Sequence, residues 1–200
     1  ATVGMSGFTG AGYPKALPPA MAERAQAEHA QGRPYKINLW TGASTAPECD
    51  GALAQAHAIG QRLPFNTDPL ARQQINAGEI DFIDMHLSHV AQHAWFGFFG
   101  KMNVAVIEVL GVTADGLLIP STAIGNNKTW LEIADQVILE VNTKLPGAME
   151  GMHDIYYGTA IPPRRMPISM THADNRIGEP YLKVDPAKVI AVVETHGSDR

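Results

Sequence analysis

An α/β fold with a mostly parallel, open sheet flanked by helices is predicted by three observations. Short runs dense in Val and Ile recur along the chain, stretches of helical composition alternate with them, and glycine-rich turns follow several of the strand ends.

The elements follow in order. Ala1-Thr2-Val3-Gly4-Met5 reads as the end of a strand whose beginning is absent, the expectation for a fragment or a processed product. Residues 35–39, 80–84, 104–109, 137–141 and 189–193 are the further strand candidates, several of them dense in Val and Ile as buried strands should be. Residues 17–31 are rich in Ala, Glu and Gln and close on Gly32. Residues 68–77 open on Asp-Pro, a good cap and first position, and close on Gly78. Residues 88–99 and 129–135 are further helix candidates. Between Pro146 and Pro186 the regularity fades. Pro146, Pro162, Pro163, Pro167, Pro180 and Pro186 favour extended loops, so 146–186 is expected to form an irregular peripheral arm.

Composition bounds the function. With 200 residues, 45% hydrophobic and 18% charged, residues 1–200 suffice for one α/β-sized domain. Fifteen Lys and Arg against 20 Asp and Glu give a net charge of −5, without the basic excess that binding a phosphate backbone requires, so no nucleic acid is expected. Cys49 is the single cysteine, which excludes an intrachain disulfide and every multi-cysteine zinc pattern and fits a reducing compartment. No run approaches the roughly 18 to 20 apolar residues that span a bilayer. The expectation is a cytoplasmic protein with no membrane partner.

The best local signal is the opening loop, Gly4-Met5-Ser6-Gly7-Phe8-Thr9-Gly10-Ala11-Gly12-Tyr13-Pro14-Lys15, between a strand and a helix, where backbone amides can approach an anion. It departs from the dinucleotide fingerprint, since Gly10 and Gly12 call for a glycine where Lys15 stands. It also departs from the P-loop, which after Gly7 and Gly12 needs lysine where Tyr13 stands. A tight turn using glycine for its backbone angles alone is the competing reading. A second loop, Trp40-Thr41-Gly42-Ala43-Ser44-Thr45, should emerge at the same carboxyl edge, and two such loops make a ligand crevice. Ser44 is not in a nucleophile elbow; it is an orienting donor or the cap of a helix beginning near Glu48 or Asp50.

His86, His89 and His93, spaced three and four apart, would share one helix face, and with Asp84 they could hold zinc. The alternative is a strand-to-helix junction capped by Asp84 or Ser88, with one of residues 84–86 lining the crevice. Gly125-Asn126-Asn127-Lys128-Thr129 is a further loop that either binds a carboxylate or simply caps a helix, and Arg164-Arg165 either pairs with an acidic ligand or stays solvated. Glu108 and Glu140 sit near strand ends, as catalytic bases or as carboxylates paired with a neighbouring donor. Trp95, Phe96, Phe98 and Phe99 are core or the surface of a homodimer.

Taken in order, residues 6–15, Thr41-Gly42-Ala43-Ser44, Arg62-Leu63-Pro64-Phe65, Ile75-Asn76-Ala77-Gly78, Asp84-Met85-His86-Leu87-Ser88, Val106-Ile107-Glu108, Ile124-Gly125-Asn126 and residues 186–195 resemble the amino-terminal half of the acetyl-CoA hydrolase and acetate or succinate CoA-transferase family. The resemblance runs through nearly the whole chain. It implies a CoA-transferase fold of two related halves with the active site between them, and coenzyme A as a substrate with no cofactor. It further implies a double displacement in which a glutamate of the other half becomes a glutamyl-CoA thioester, so no catalytic nucleophile is expected in this chain. Carried over residue by residue, Ser6, Gly7, Phe8, Thr9, Gly10, Gly12, Ser44 and His86 become walls of the acyl and CoA cleft. The partners implied are acyl-CoA (acetyl, propionyl or succinyl), a small carboxylate and the carboxy-terminal half of the same protein. Two other classes compete: a metal-dependent hydrolase using His86, His89 and His93, and a noncatalytic acyl-CoA or carboxylate-binding module.

Overall fold

The computed structural model describes residues 1–158 and 163–200, and of Ser44 the backbone alone. Pro162 of the expected arm and the side chain of Ser44 therefore lie outside the described residues.

The strands are β1 (Thr2–Met5), β2 (Phe8–Thr9), β3 (Ile37–Trp40), β4 (Ala43–Ser44), β5 (Ile59–Leu63), β6 (Asp81–Phe82), β7 (Val104–Val112), β8 (Leu118–Pro120), β9 (Gln136–Asn142) and β10 (Val189–Thr195). The helices are α1 (Leu17–Ala30), α2 (Ala52–Gln55), α3 (Pro69–Asn76), α4 (Leu87–Trp95) and α5 (Asn127–Ile133). The main sheet runs β10-β9-β7-β1-β3-β5-β6, parallel throughout, with β8 antiparallel against β7. From β1 the chain winds outward through β3, β5 and β6, then crosses back to β7 and winds the other way. This reversal beside β1 is the topological switch point, where open α/β sheets bind ligands outside their carboxyl ends.

Each sheet face has its own core. Against one, Val3, Met5, Ile37, Leu39, Ile59 and Val106 pack with Ala22 and Ala25 of α1, Leu53 of α2 and Ala71 of α3. Against the other, Trp40, Ala105, Ile107, Val137 and Leu139 pack with Val90 of α4 and Trp130 and Leu131 of α5. Burying each large side chain stabilises the fold by about 1.5–3 kcal/mol. No helix of the described residues is long and apolar enough to cross a membrane.

The expected strands and helices are present with shifted ends. Asp68 caps α3 as its sequence indicates, accepting from the amides of Leu70 (3.0 Å) and Ala71 (2.9 Å). At α4 the cap is His86, in place of Asp84 or Ser88: its Nδ1 accepts from the Ser88 amide at 3.4 Å. The helical segment expected near Glu48 or Asp50 begins as a π-helical turn at Pro47–Gly51, with Ala46 at the position preceding it. β5 went unmarked because Gly60, Gln61 and Arg62 interrupt its apolar pattern. The arm contains no long helix among its described residues, but it is not wholly peripheral: Ile155 and Leu182 enter the second core, and Leu182 bridges to Leu118.

Candidate functional site

The loop after β1 and the loop after β3 meet at the carboxyl edge. β2 pairs with β4 in parallel, Phe8 opposite Ala43 and Thr9 opposite Ser44, which joins two of the predicted cleft segments through their backbones. A third loop, before α5, closes on them. The Asn126 amide donates to Ser6 Oγ at 2.8 Å, and Asn126 Nδ2 donates to the Thr41 carbonyl at 3.1 Å. Ser6 is thus fully buried as a fastener between loops. Gly125 has φ +51°, and a Cβ there would collide with Ser6 Oγ. Phe8, by contrast, projects from the turn with 59% of its surface exposed, an apolar tip on an otherwise polar edge.

The glycine loop is held from beneath by charges. Lys15 Nζ donates to Glu108 Oε2 at 2.5 Å, to Asp199 Oδ1 at 2.8 Å and to the Tyr13 carbonyl at 3.0 Å. Glu108 and Glu140 are register partners on adjacent strands, and both are fully buried. Glu140 takes the α1 terminus: its two oxygens accept from the amides of Lys15 (2.7 Å), Ala16 (2.9 and 3.0 Å) and Leu17 (2.9 Å). A carboxylate from another strand thereby satisfies amides that the helix's own Ala16 cannot. Burial pushes the Glu108 carboxyl above the usual range, against hydrogen bonds and charge from Lys15 that pull it down. Of the two readings of these glutamates, paired strand-end carboxylates is the one the contacts bear out.

The segment after β10 crosses over this loop. Asp199 Oδ1 accepts from the Gly12 amide at 3.2 Å, Asp199 Oδ2 accepts from the Thr122 hydroxyl, and the Arg200 amide donates to the Gly10 carbonyl at 2.9 Å. Gly12 has φ +66°, and a Cβ there would lie 2.6 Å from the Ala123 amide nitrogen, so the loop is pressed between two neighbours where only glycine fits. Its amide, expected to be open to an anionic ligand, is committed to a carboxylate of the protein itself. Burial raises the Asp199 pKa, but the hydrogen bonds from Lys15 and Thr122 and the charge of Lys15 more than reverse this, leaving it low. At the loop's end Tyr13 Oη and Arg200 Nε converge on Glu48, at 3.0 and 2.7 Å, and burial with the Glu48 contact holds the Tyr13 phenol well above its ordinary value.

The loop after β3 has a separate anchor. Arg62 Nε meets Asp50 Oδ1 at 2.6 Å with both side chains fully buried, and Arg62 Nη1 donates to Thr41 Oγ1 at 2.8 Å. The sequence reading assigned roles to none of Arg62, Asp50, Lys15 as a cation or Asp199. Arg62 carried no local signal of its burial, since it stands with Gly60 and Gln61 in a segment whose apolar pattern is broken.

His86 is engaged elsewhere. It follows β6, separated from β1 by β3 and β5, and besides capping α4 it packs ring to ring on His89 at 5.6 Å. The metal reading is not favoured: among the described residues no group of three His, Cys, Asp or Glu is arranged to hold an ion. The rings of His86, His89 and His93 step along the helix at 5.6 and 6.0 Å, and His93 Nδ1 donates to the His89 carbonyl at 2.8 Å, so their nitrogens do not converge on a point. Lys128 pairs with Glu132 and lies over the rings of Trp95 and Tyr157, as a structural residue would. Arg165 lines a hollow of about 330 Å³ between α4, α5 and the arm, with Gln92 and Trp95. Of the four aromatics, Phe99 packs edge-on against Trp40, whereas Phe98 is 71% exposed.

Comparison with known proteins gives a consistent result. The acetyl-CoA hydrolase/transferase N-terminal domain profile matches residues 1–194. A propanoyl-CoA:succinate CoA transferase of Escherichia coli is 45% identical over 197 residues, 98% of this chain and 40% of that protein. A succinyl-CoA:acetate CoA-transferase of Clostridium kluyveri is 42% identical over 99% of this chain and 36% of its own length, and an acetyl-CoA hydrolase of Schizosaccharomyces pombe is 37% identical over 98% and 38%. The chain therefore spans about two fifths of the length of the curated relatives it matches. In fold it is similar to RipA from Yersinia pestis, at TM-score 0.62 and 14% identity over 100% of this chain and 40% of that one. Glutaconate coenzyme A-transferase from Acidaminococcus fermentans follows at TM-score 0.52 and 13% identity, over 70% and 61%.

Proposed function

The chain belongs to the acetyl-CoA hydrolase/transferase family, as its amino-terminal domain, and on that premise we propose that it forms one wall of a site where CoA moves between an acyl-CoA and a small carboxylate. The observation that carries this reading is the convergence of three loops, after β1, after β3 and before α5, at the switch point of a parallel sheet. Ser6, Gly7, Phe8, Thr9, Gly10 and Gly12 form the first segment of that wall, and the backbone at Ser44 extends it. His86, on the far side of β5, contributes only if the rest of the protein folds over β6.

The nucleophile in this reading is a glutamate of the polypeptide beyond the described chain. Its carboxylate oxygen attacks the thioester carbonyl, the carbon–sulfur bond breaks, and CoA leaves as thiolate from a mixed anhydride. The thiolate then attacks the glutamyl carbonyl, giving a glutamyl-CoA thioester and releasing the acyl group as a carboxylate. An acceptor carboxylate reverses the sequence; water in its place completes hydrolysis. Each step is nucleophilic exchange at a carbonyl, so coenzyme A takes part as substrate and no redox or metal group is needed. Support from this chain lies in its rigid, glycine-lined edge, which can bring backbone close to a developing oxyanion and keep bulk water out.

The test is isotope exchange between labelled acetate or succinate and the matching acyl-CoA, with hydroxylamine trapping of the enzyme thioester. The whole protein is expected to exchange and to be trapped, and residues 1–200 alone to do neither. Turnover by residues 1–200 would overturn the assignment of the nucleophile to the other part.

A further inference from the structure

We propose that Asp199 is a positioning residue for the glycine loop, so that the segment after the last strand belongs to the wall of the reactive cleft. The inference rests on the reading of residues 6–12 as part of that cleft. Three contacts from one carboxylate carry it. Asp199 reaches the Gly12 amide, the Thr122 hydroxyl and the Lys15 ammonium, and so joins the loop after β1, the turn after β8 and the entrance to α1 at one point. The neighbouring backbone reinforces it: the Arg200 amide bonds the Gly10 carbonyl at 2.9 Å, and Asn142 Nδ2 holds the Gly197 carbonyl at 2.9 Å.

Packing leaves little room for an alternative arrangement. A Cβ at Gly197 would lie 2.6 Å from Lys15 Cδ, and one at Gly10 would lie 3.0 Å from Arg200 Cβ. Lys15 is nearly buried, and its other carboxylate partner, Glu108, is fixed within β7. Asp199 therefore couples a rigid strand, through Lys15, to a loop that has few apolar contacts of its own and whose tip, Phe8 and Thr9, is exposed. Loops of that kind open locally unless polar contacts close them. A displacement of about 1 Å in a substrate-positioning wall costs on the order of a hundredfold in rate.

The experiment compares Asp199→Asn and Asp199→Ala in the whole protein by peptide-resolved amide hydrogen exchange, thermal melting and acyl-exchange kinetics. Asn keeps an oxygen for the Gly12 amide and turns its amide nitrogen to the Thr122 hydroxyl oxygen, which can accept from it, but gives up the ion pair with Lys15; Ala removes all three contacts. Exchange over residues 8–13 is expected to quicken by about tenfold in the Ala variant and less in the Asn variant, with protection of β1, β3 and β7 unchanged. The same order should appear in kcat, which falls by about tenfold or more in the Ala variant while KM changes less. Unchanged exchange at residues 8–13 in both variants overturns the proposal. So does an activity loss that only tracks the unfolded fraction. If the parent protein shows no acyl exchange at all, the cleft reading fails, and the hydrogen-exchange comparison still decides whether Asp199 holds the loop.

Discussion

Beneath residues 41–44 one cation meets one carboxylate, Arg62 on Asp50, and neither side chain is exposed. Beneath residues 6–13 one cation, Lys15, lies between two carboxylates, Glu108 buried in β7 and Asp199 partly open to solvent. The first brace is short in sequence, linking β5 to the turn before α2, and its charges balance. The second joins opposite ends of the chain and carries an excess negative charge. Two loops that share a backbone ladder are thus anchored differently: one as part of the core, the other by contacts that proton uptake can weaken.

The largest expected effect comes from breaking the balanced brace. Arg62→Met strands Asp50 in the core and should cost about 3–5 kcal/mol, read from denaturant unfolding followed by the fluorescence of the buried Trp40 and Trp130. Adding Asp50→Leu should recover most of that loss. A double variant as unstable as the single one would show that Arg62 matters through Thr41 and not through its charge.

Glu140 sharpens the comparison from the other wall, because it is a buried carboxylate satisfied by amides alone. Glu140→Gln replaces one acceptor oxygen with an amide group that faces those donors, at an expected cost of about 2–3 kcal/mol in the same measurement. Asp68→Ala, which removes an ordinary local cap from α3, should cost only about 1 kcal/mol. Equal losses in these two variants would deny the distant cap any special weight.

The smallest effect is in pH dependence, where the second wall should respond with opposite signs at its two carboxylates. Glu108 is raised, so its favourable neutral form is fully present below the ordinary value of 4.5, and that contribution is lost as pH rises through its folded value. Asp199 is lowered, so its contribution is present above the ordinary value of 3.8 and is lost as pH falls through its folded value. Relative to the parent, Glu108→Gln should gain stability as pH climbs above 4.5, whereas Asp199→Asn should carry a constant deficit there that closes only as pH falls below 3.8. Melting temperatures of the three proteins from about pH 2 to pH 8 read both windows; parallel curves would remove the distinction between the two carboxylates.

Much of the architecture was legible from local chemistry. Val and Ile runs marked β7 and β9 because a parallel strand covered on both faces must be apolar, although the similar run of β10 lies at the sheet edge and is largely exposed, and Asp68-Pro69 marked the start of α3 because its side chain bonds amides two and three residues on. The resemblance to CoA-transferases rested on loop motifs whose order survives in sequence, and the family comparison agrees with it. The metal reading is disfavoured for an equally local reason. Spacing of three and four puts imidazoles on one face, but only rotamers decide whether their nitrogens converge, and here His86 and His93 turn theirs to the helix itself.

The amino-acid sequence alone determined most strands of the main sheet, the longer helices and the glycine turns, and which family the chain resembles, because those depend on neighbours within a few residues and on the order of short motifs. Tertiary structure alone decided what anchors the loops. Asp199 finds Gly12, and Glu140 finds the start of α1, only once parallel strands far apart in sequence have come into register. Whether a buried charge braces a wall or burdens the core depends on the partner it meets across that register, and no window along the chain contains both members of the pair.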